Sequence, residues 1–434
     1  MAYLLDVVYS IALLLVSPWL LYKTLTTGKS RRGLWRKLRG DALLRDGDAP
    51  CAWFHGVSVG EVHLLGTIVR GFRQRHPDWQ CAISTSTDTG FDEARKRFSD
   101  LPVFFWPFDF SWAVRRALRR VNPSLVVLAE GELWPNFLSA AKKRGVLTVV
   151  VNGRMSPRSR RNLFRFLPLT RRLVAGVDLF LAQNEEYAEG YRAIVRATNR
   201  VQVTGSVKYD GVQSDRGNPK TRELARLLNI VPGELVWIAG STQDPEEKHV
   251  LAIYRTLRHR WPNLRLMLVP RQKERFGEVA ELLRDQREKF IRRSELTGPI
   301  ADRSAINLVD TIGELGSLWG LADVAYVGGS LDGRRGGQNM IEPAAYGAAV
   351  VFGPHVWNFR ETADRLVGLG AAIQVPDAPA LELAVRRVLE NPAERARLGE
   401  AARLFVREQQ GATERTLAHI DVLVARRPEQ SKAA

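Results

Sequence analysis

Cys51-Ala52-Trp53-Phe54-His55-Gly56-Val57-Ser58-Val59-Gly60-Glu61 joins an apolar run to a helical one. Cys51 to Val57 has the continuous apolar character of a buried strand, and beyond it Leu64, Leu65, Ile68, Val69 and Phe72 recur at the spacing of a helix face. This register places Glu61 near a helix N-terminus at the carboxyl end of a strand, where open α/β sheets hold their ligands. A first-turn glutamate also complements the helix dipole with no chemistry at all, so the position by itself leaves both roles open.

Outward from this junction the same alternation continues. Apolar runs at Gln80–Ser84, Val103–Trp106, Ser124–Ala129, Val146–Val151 and Asp178–Ala182 are separated by amphipathic stretches, the pattern of a parallel sheet with helices on both faces. Asp210 to Lys220 is polar, with glycines, a proline and no periodicity, and reads as a linker. The sheet pattern then restarts through Leu235–Ala239, Arg265–Val269, Ala305–Val309, Val324–Val327, Ala349–Phe352 and Ala372–Val375. A chain of 434 residues exceeds one ordinary domain. The expected division is an anchor at 1–23, a Rossmann-like domain at 24–209, a linker at 210–232, a second Rossmann-like domain at 233–424 and a frayed tail at 425–434.

Apolar residues make up 45% of the chain and charged ones 26%, the balance of a globular protein with a real core. Its two cysteines, Cys51 and Cys81, each open an apolar strand and read as buried reduced thiols, with no disulfide framework or zinc spacing. The seven histidines show no paired ligand spacing, so no metal is expected. Leu4 to Tyr22 is nearly all apolar apart from Asp6, Ser10, Ser17 and Pro18, and a basic stretch from Lys23 to Arg39 follows. This is a short membrane anchor, either a borderline span or an in-plane helix. Its basic flank puts the rest of the chain in the cytoplasm, and a cleaved signal would carry its charge on the other side.

The net charge of +17 fits a partner with an anionic membrane surface. Nucleic acid is disfavoured, because no recognition motif appears. Between Arg154 and Arg172 the arginines interleave with Leu163, Phe164, Phe166, Leu167 and Leu169, which suits either contact with lipid or a solvated basic helix whose apolar side is core.

Further segments fall in the same strand-to-helix register as Glu61. They are Glu130-Gly131-Glu132-Leu133-Trp134-Pro135-Asn136, Asn152-Gly153-Arg154-Met155-Ser156, Gly205-Ser206-Val207-Lys208-Tyr209-Asp210, Pro270-Arg271-Gln272-Lys273-Glu274-Arg275-Phe276, Asp310-Thr311-Ile312-Gly313-Glu314-Leu315 and Gly336-Gly337-Gln338-Asn339-Met340-Ile341-Glu342-Pro343. The ordered set resembles the Kdo transferases, membrane-bound glycosyltransferases that move 3-deoxy-D-manno-octulosonic acid (Kdo) from CMP-Kdo to a lipid A precursor. The resemblance runs from the N-terminal apolar segment to about residue 375. It implies the GT-B architecture, two Rossmann-like domains facing a cleft.

Transfer from a sugar nucleotide needs a base, stabilisation of the departing phosphate and a nucleoside pocket. Glu61 matches the glutamate that closes the family's N-terminal motif, which the resemblance implies is the base; Asp88 is the rival carboxylate. For the leaving group the second domain offers Arg271, the glycines of Gly328-Gly329-Ser330, and Gly336-Gly337 opening a helix at Asn339, where backbone N–H groups bind phosphate without a metal. A glycine-rich segment is as readily a simple turn. Glu342 suits ribose hydroxyls, although it too has the position of a helix N-terminal acid. The resemblance adds Lys208 at the donor's carboxylate or phosphate. It also implies an acceptor cleft with Ser58, Thr87, Glu130, Glu132 and Arg154; for Lys208, Glu130 and Glu132 the structural alternative is an interdomain salt bridge.

Two departures stand out: Gln272 and Gln338 occupy positions where the family usually has histidine, and glutamine keeps a donor but cannot be protonated. The expected activity is an inverting, metal-independent transfer of Kdo to a lipid IVA-type acceptor at the inner face of the cytoplasmic membrane. CMP-Kdo is a substrate in this reading, and no cofactor is required. The rivals are a lipid-directed GT-B enzyme using a UDP-sugar, which fold alone does not separate, and a membrane-tethered glycolipid-binding module without catalysis.

Overall fold

The computed structural model describes residues 2–27, 33–43, 45, 47–155 and 157–426. Lys29, Arg31 and Arg32 of the basic flank, Ser156, and residues 427–434 of the expected tail lie outside them. Contacts divide the chain into two units, Met1–Asp210 with Gln410–Ala434, and Gly211–Gln409.

In the first unit seven parallel strands are described: β1 Cys51–His55, β2 Gln80–Thr85, β3 Val103–Phe105, β4 Leu125–Ala129, β5 Leu147–Gly153, β6 Leu179–Ala182 and β7 Val201–Val203. They lie in the order β3-β2-β1-β4-β5-β6-β7. Every residue of β1 and β4 is buried, because helices cover both faces of the sheet and leave no polar side to alternate with. Trp53, Trp106 and Phe137 pack on one face, while Phe54, Ile68 and Phe72 pack on the other. The order reverses between β1 and β4, which makes the carboxyl ends of those two strands the switch point where doubly wound sheets bind ligands.

The second unit repeats the plan with β8 Leu235–Thr242, β9 Leu264–Pro270, β10 Phe290–Arg292, β11 Ile306–Leu308, β12 Val324–Val327, β13 Ala349–Phe352 and β14 Ala372–Gln374. The order is β10-β11-β9-β8-β12-β13-β14, so its switch point lies between β8 and β12.

The boundaries differ from the sequence reading in two ways. Within 210–232, Pro219–Leu227 forms a helix capped by Asn218, and Leu224 is core to the second unit, so the linker is far shorter. The last helix, Ala412–Ala425, packs Leu417 and Ile420 against the first unit, not with the domain that 233–424 had been expected to form. Asp210 holds the return, its carboxylate accepting from the backbone N–H groups of Gly411 and Thr413. An amphipathic pattern says that a helix needs an apolar partner but not which sheet provides it.

Near the N-terminus, the helix Ala2–Thr27 docks through the side that carries Asp6 and Tyr9. Asp6 is buried and accepts from Ser111 N at 2.8 Å, Ser111 Oγ at 2.5 Å and Asn136 Nδ2 at 3.2 Å, while Tyr9 donates to Asp109 at 3.2 Å. The other side exposes Leu4, Val7, Val8, Ile11, Leu14, Leu15 and Trp19. Among the described residues no helix is long and apolar enough to cross a membrane, so the spanning form of the expected anchor is not found. Further along, Leu163, Leu167 and Leu173 pack on the core, as expected of a basic helix whose apolar side is core, whereas Phe164, Phe166 and Leu169 are exposed among arginines.

Candidate active site

Glu61 sits at the first unit's switch point in a reciprocal cap. Ser58 is extended and caps the helix Val59–Arg75: its Oγ accepts from Glu61 N at 3.5 Å and donates to Glu61 Oε1 at 3.1 Å, while Val57 N donates to Oε2 at 2.7 Å. Gly56 leaves room for this arrangement, since a Cβ there would stand 3.0 Å from that of Glu61. The structural role suggested by the sequence is thus fulfilled, yet the carboxylate is far from ordinary. Burial, with the nearby negative charge of Glu130 and Glu132, pushes Glu61 up to about 7 against the pull of its own hydrogen bonds. A carboxylate that ionises near neutral pH is matched to general-base work.

Glu130 and Glu132 follow β4 on the other side of the switch. Glu130 has a positive φ of 56°, and its Oε1 meets Asn152 Nδ2 at 3.2 Å and Lys208 Nζ at 3.1 Å. Asn152 Oδ1 in turn accepts from Val207 N at 3.0 Å, tying the end of β5 to the segment that carries Lys208. The ion pair foreseen as interdomain therefore lies within the first unit. Glu132 accepts from Trp134 Nε1 at 3.1 Å, and burial together with Glu130 raises its pKa.

Thr87 caps the helix Asp88–Arg97: its hydroxyl donates to Val57 O at 2.9 Å and accepts from Gly90 N at 3.1 Å, so it is committed to the turn. Asp88 lies in that helix's first turn, beside Lys37, whose Nζ donates to Ser86 O at 2.6 Å. Arg154 is exposed, and its backbone oxygen accepts from Tyr191 at 3.2 Å. His55, at the end of β1, is no competing base. It is fully buried, stacked on Trp106 at 3.9 Å and bonded to Ser84, and burial pushes it down to about 3, keeping it neutral.

In the second unit, Arg271 follows β9 and donates from Nε to Gln338 Oε1 at 3.1 Å. Asn339 Nδ2 donates to Glu342 Oε1 at 2.9 Å while its Oδ1 accepts from Ile341 N at 3.0 Å. Burial raises the Glu342 pKa, opposed by Asn339 and Arg271. The structure thus gathers Arg271, Gln338, Asn339 and Glu342. The helix expected at Asn339 begins at Ile341 and has only five residues, too short for the dipole argument made from the sequence.

The glycine-rich turn after β12 is already filled, by a residue that sequence reasoning missed. The buried carboxylate of Glu246 accepts from Gly329 N at 2.7 Å, Ser330 N at 2.9 Å, Leu331 N at 3.1 Å, Gln243 N at 3.0 Å and Tyr326 Oη at 2.7 Å. Those amides serve an internal anion in place of the phosphate foreseen for them. Gly337 likewise donates its N–H to Gly329 O at 2.7 Å; its own contribution is close approach, a Cβ there standing 3.3 Å from His355 O. The available signal was an acid in the first helical turn after β8, opposite a glycine-rich turn across the switch.

Residues 28–211 match the family described as 3-deoxy-D-manno-octulosonic-acid transferase (kdotransferase). Proteins named 3-deoxy-D-manno-octulosonic acid transferase are similar over nearly the whole chain. The one from Haemophilus influenzae is 34% identical, the alignment covering 86% of this chain and 88% of its own. That from Bordetella pertussis is 33% identical over 94% and 97%, and that from Chlamydophila psittaci 32% over 92% and 91%. The chain belongs to the 3-deoxy-D-manno-octulosonic acid transferase family, and is a glycosyltransferase.

Solved structures speak to the fold. A putative UDP-N-acetylglucosamine 2-epimerase from Listeria monocytogenes aligns with a TM-score of 0.57 at 12% identity, covering 88% of this chain and 98% of that one. A glycosyltransferase from Rickettsia africae gives 0.55 at 12%, covering 88% and 100%. The two parallel-sheet α/β units resemble those of GT-B glycosyltransferases. In this Kdo transferase family member, Ser58, Glu61, Glu130, Glu132 and Lys208 all lie in the segment that the family description matches.

Proposed function

We propose that the chain transfers Kdo from CMP-Kdo to a lipid A precursor of the lipid IVA type, with inversion and without a divalent ion. The observation that carries this reading is Glu61 at the first switch point, lifted to about 7 beside Glu130 and Glu132. Glu61 takes the proton from an acceptor hydroxyl, whose oxygen bonds to the anomeric carbon of Kdo as the bond from that carbon to the CMP phosphate breaks and CMP departs. One displacement of this kind inverts the anomeric centre. Lys208 is proposed to meet the donor's carboxylate or phosphate, Arg271 the leaving phosphate, and Glu342, positioned by Asn339, the ribose hydroxyls; charge-assisted hydrogen bonds to phosphate need no metal. Ser58, Thr87 and Arg154 are proposed to border the acceptor.

The same reading holds the protein at the inner face of the cytoplasmic membrane. Its support is the exposed apolar side of the helix Ala2–Thr27, together with exposed Phe166 and Leu169 among arginines and a net charge of +17.

Incubating the purified chain with CMP-Kdo and tetraacylated disaccharide precursor, then weighing the lipid by mass spectrometry, tests the whole. The expected result is a lipid heavier by one or more Kdo residues. Binding of UDP in preference to CMP, with no mass gain, would overturn the donor assignment.

A further inference from the structure

At the amino end of the first sheet, away from the carboxyl ends that carry Glu61 and Glu130, lies a cavity of about 1000 Å³. That is the upper end of the ~300–1000 Å³ range of small-molecule sites. Its floor is largely apolar: Cys51, Val69, Cys81, Leu101, Phe104 and Val121 contribute, and Gln74, His76 and Gln80 complete the lining. Its border is basic, for Arg45, Arg70, Arg73 and Arg97 meet one carboxylate, Asp100.

Helices end here, and last-turn arginines commonly complement helix C-termini. That accounts for Arg73 and Arg97, which occupy the last turns of Val59–Arg75 and Asp88–Arg97. Arg73 is also paired with Asp100 at 2.7 Å. It does not account for Arg45, which lies on no helix, or Arg70, which precedes the last turn. Arg45 is fixed through its backbone N–H to Arg120 O at 3.1 Å and one guanidinium nitrogen to Ala49 O, and its Nε is buried with no partner. Arg70 pairs with no carboxylate among the described residues. Arg97 lies across the helix surface where Gly66 makes room, since a Cβ at Gly66 would come within 2.2 Å of its Nε. An apolar floor with unspent guanidinium donors at its mouth suits a ligand with an apolar body and an anionic head.

We infer that this cavity binds a single-chain anionic amphiphile, its alkyl chain on the floor and its phosphate or carboxylate head between Arg45 and Arg70. The site is separate from the transfer reaction, and the inference does not depend on the proposed donor or acceptor.

Calorimetric titration of the full chain with monomeric decyl phosphate and decanoate tests it, with decyl maltoside and inorganic phosphate as controls. At least one anionic probe is expected to bind one-to-one, at least about tenfold more tightly than either control; comparing the two assigns the head group. The double variant Arg45→Ala/Arg70→Ala should weaken that binding about tenfold or more, as loss of even one charge-assisted contact implies, and should leave transfer activity unchanged. Equal binding of decyl maltoside would mean apolar adsorption, and equal binding of phosphate a site for the head alone. Either result overturns the inference, as does unaltered affinity in the double variant.

Discussion

Lys208 Nζ lies 3.1 Å from Glu130 Oε1, and Asn152 braces both partners, donating to that same oxygen and accepting the N–H of Val207. The pair is half-buried, so removing either charge leaves the other poorly solvated. Glu130→Gln and Lys208→Met should each lower kcat/KM for transfer, and the double variant should be no worse than the poorer single. A double-mutant cycle should give an interaction of about 0.5–3 kcal/mol. Effects that simply multiply would show that the two residues act separately.

Glu61→Gln should slow transfer by about 10²–10⁴, the usual worth of a positioned base, with CMP binding nearly unchanged. Retention of more than about a tenth of the wild-type rate would move the role to another group, Asp88 being next to test. Because the carboxylate ionises at about 7, the wild-type rate should rise with pH to a plateau above that value. The glutamine variant should lose this limb.

The same shift has a stability consequence of defined sign. The folded state holds its proton up to about 7, whereas the unfolded chain releases it near the ordinary 4.5. Between those values the folded state binds more protons, so this group's contribution makes stability fall as pH rises from about 4.5 to 7 and level off above. Glu61→Gln should therefore flatten that part of the curve of Tm against pH. An unchanged slope would contradict the burial of the charge.

Much of this was legible in the sequence, for reasons particular residues make plain. Parallel strands buried on both faces read as continuous apolar runs, and so β1, β4, β8 and β12 stand out. Val201–Val203 and Phe290–Arg292 escaped because they are three-residue edge strands with polar members and lack such runs. Glu61 and Arg271 could be placed from the sequence because they follow strand ends, and Glu342 because it opens a short helix after β12. Glu246 was not, because its partners arrive from β12 some eighty residues later and no local pattern links them. The return of Ala412–Ala425 to the first unit was hidden in the same way.

Asp6 should be the latch of the N-terminal helix. Asp6→Ala leaves Ser111 N and Asn136 Nδ2 without the carboxylate they share, while the sheets keep their cores. Hydrogen exchange across residues 2–27 should accelerate, with Tm of the whole chain nearly unchanged. Exchange no faster than in the wild type would show that apolar contacts alone hold the helix.

Glu246→Ala removes the acceptor for four backbone N–H groups and a tyrosine hydroxyl. An unsatisfied buried donor costs about 1–3 kcal/mol, so the variant should lose several kcal/mol of stability in urea, if it folds at all. Glu246→Gln keeps the shape but replaces one acceptor oxygen by a donor and should fall between. Wild-type stability in the glutamine variant would mean that the charge is dispensable to the turn.

The donor half is tested by separating charge from shape. Arg271 is exposed and already bonded to Gln338, so Arg271→Ala should leave the fold intact and remove only a cation available to phosphate. Glu342→Ala removes the acceptor that Asn339 orients. Charge-assisted hydrogen bonds are worth roughly 1.5–3 kcal/mol, so each change should raise the Kd for CMP about 10- to 150-fold. Gln338→His restores a group that can be protonated beside Arg271, so CMP affinity in that variant should become pH-dependent near the ordinary imidazole range of about 6.5. Adding a chelator should change none of these titrations, since the proposed phosphate contacts are guanidinium and ammonium groups. Loss of CMP binding on chelation would sink the metal-free mechanism, and unaltered affinity in both alanine variants would place the nucleotide elsewhere than at the end of β9.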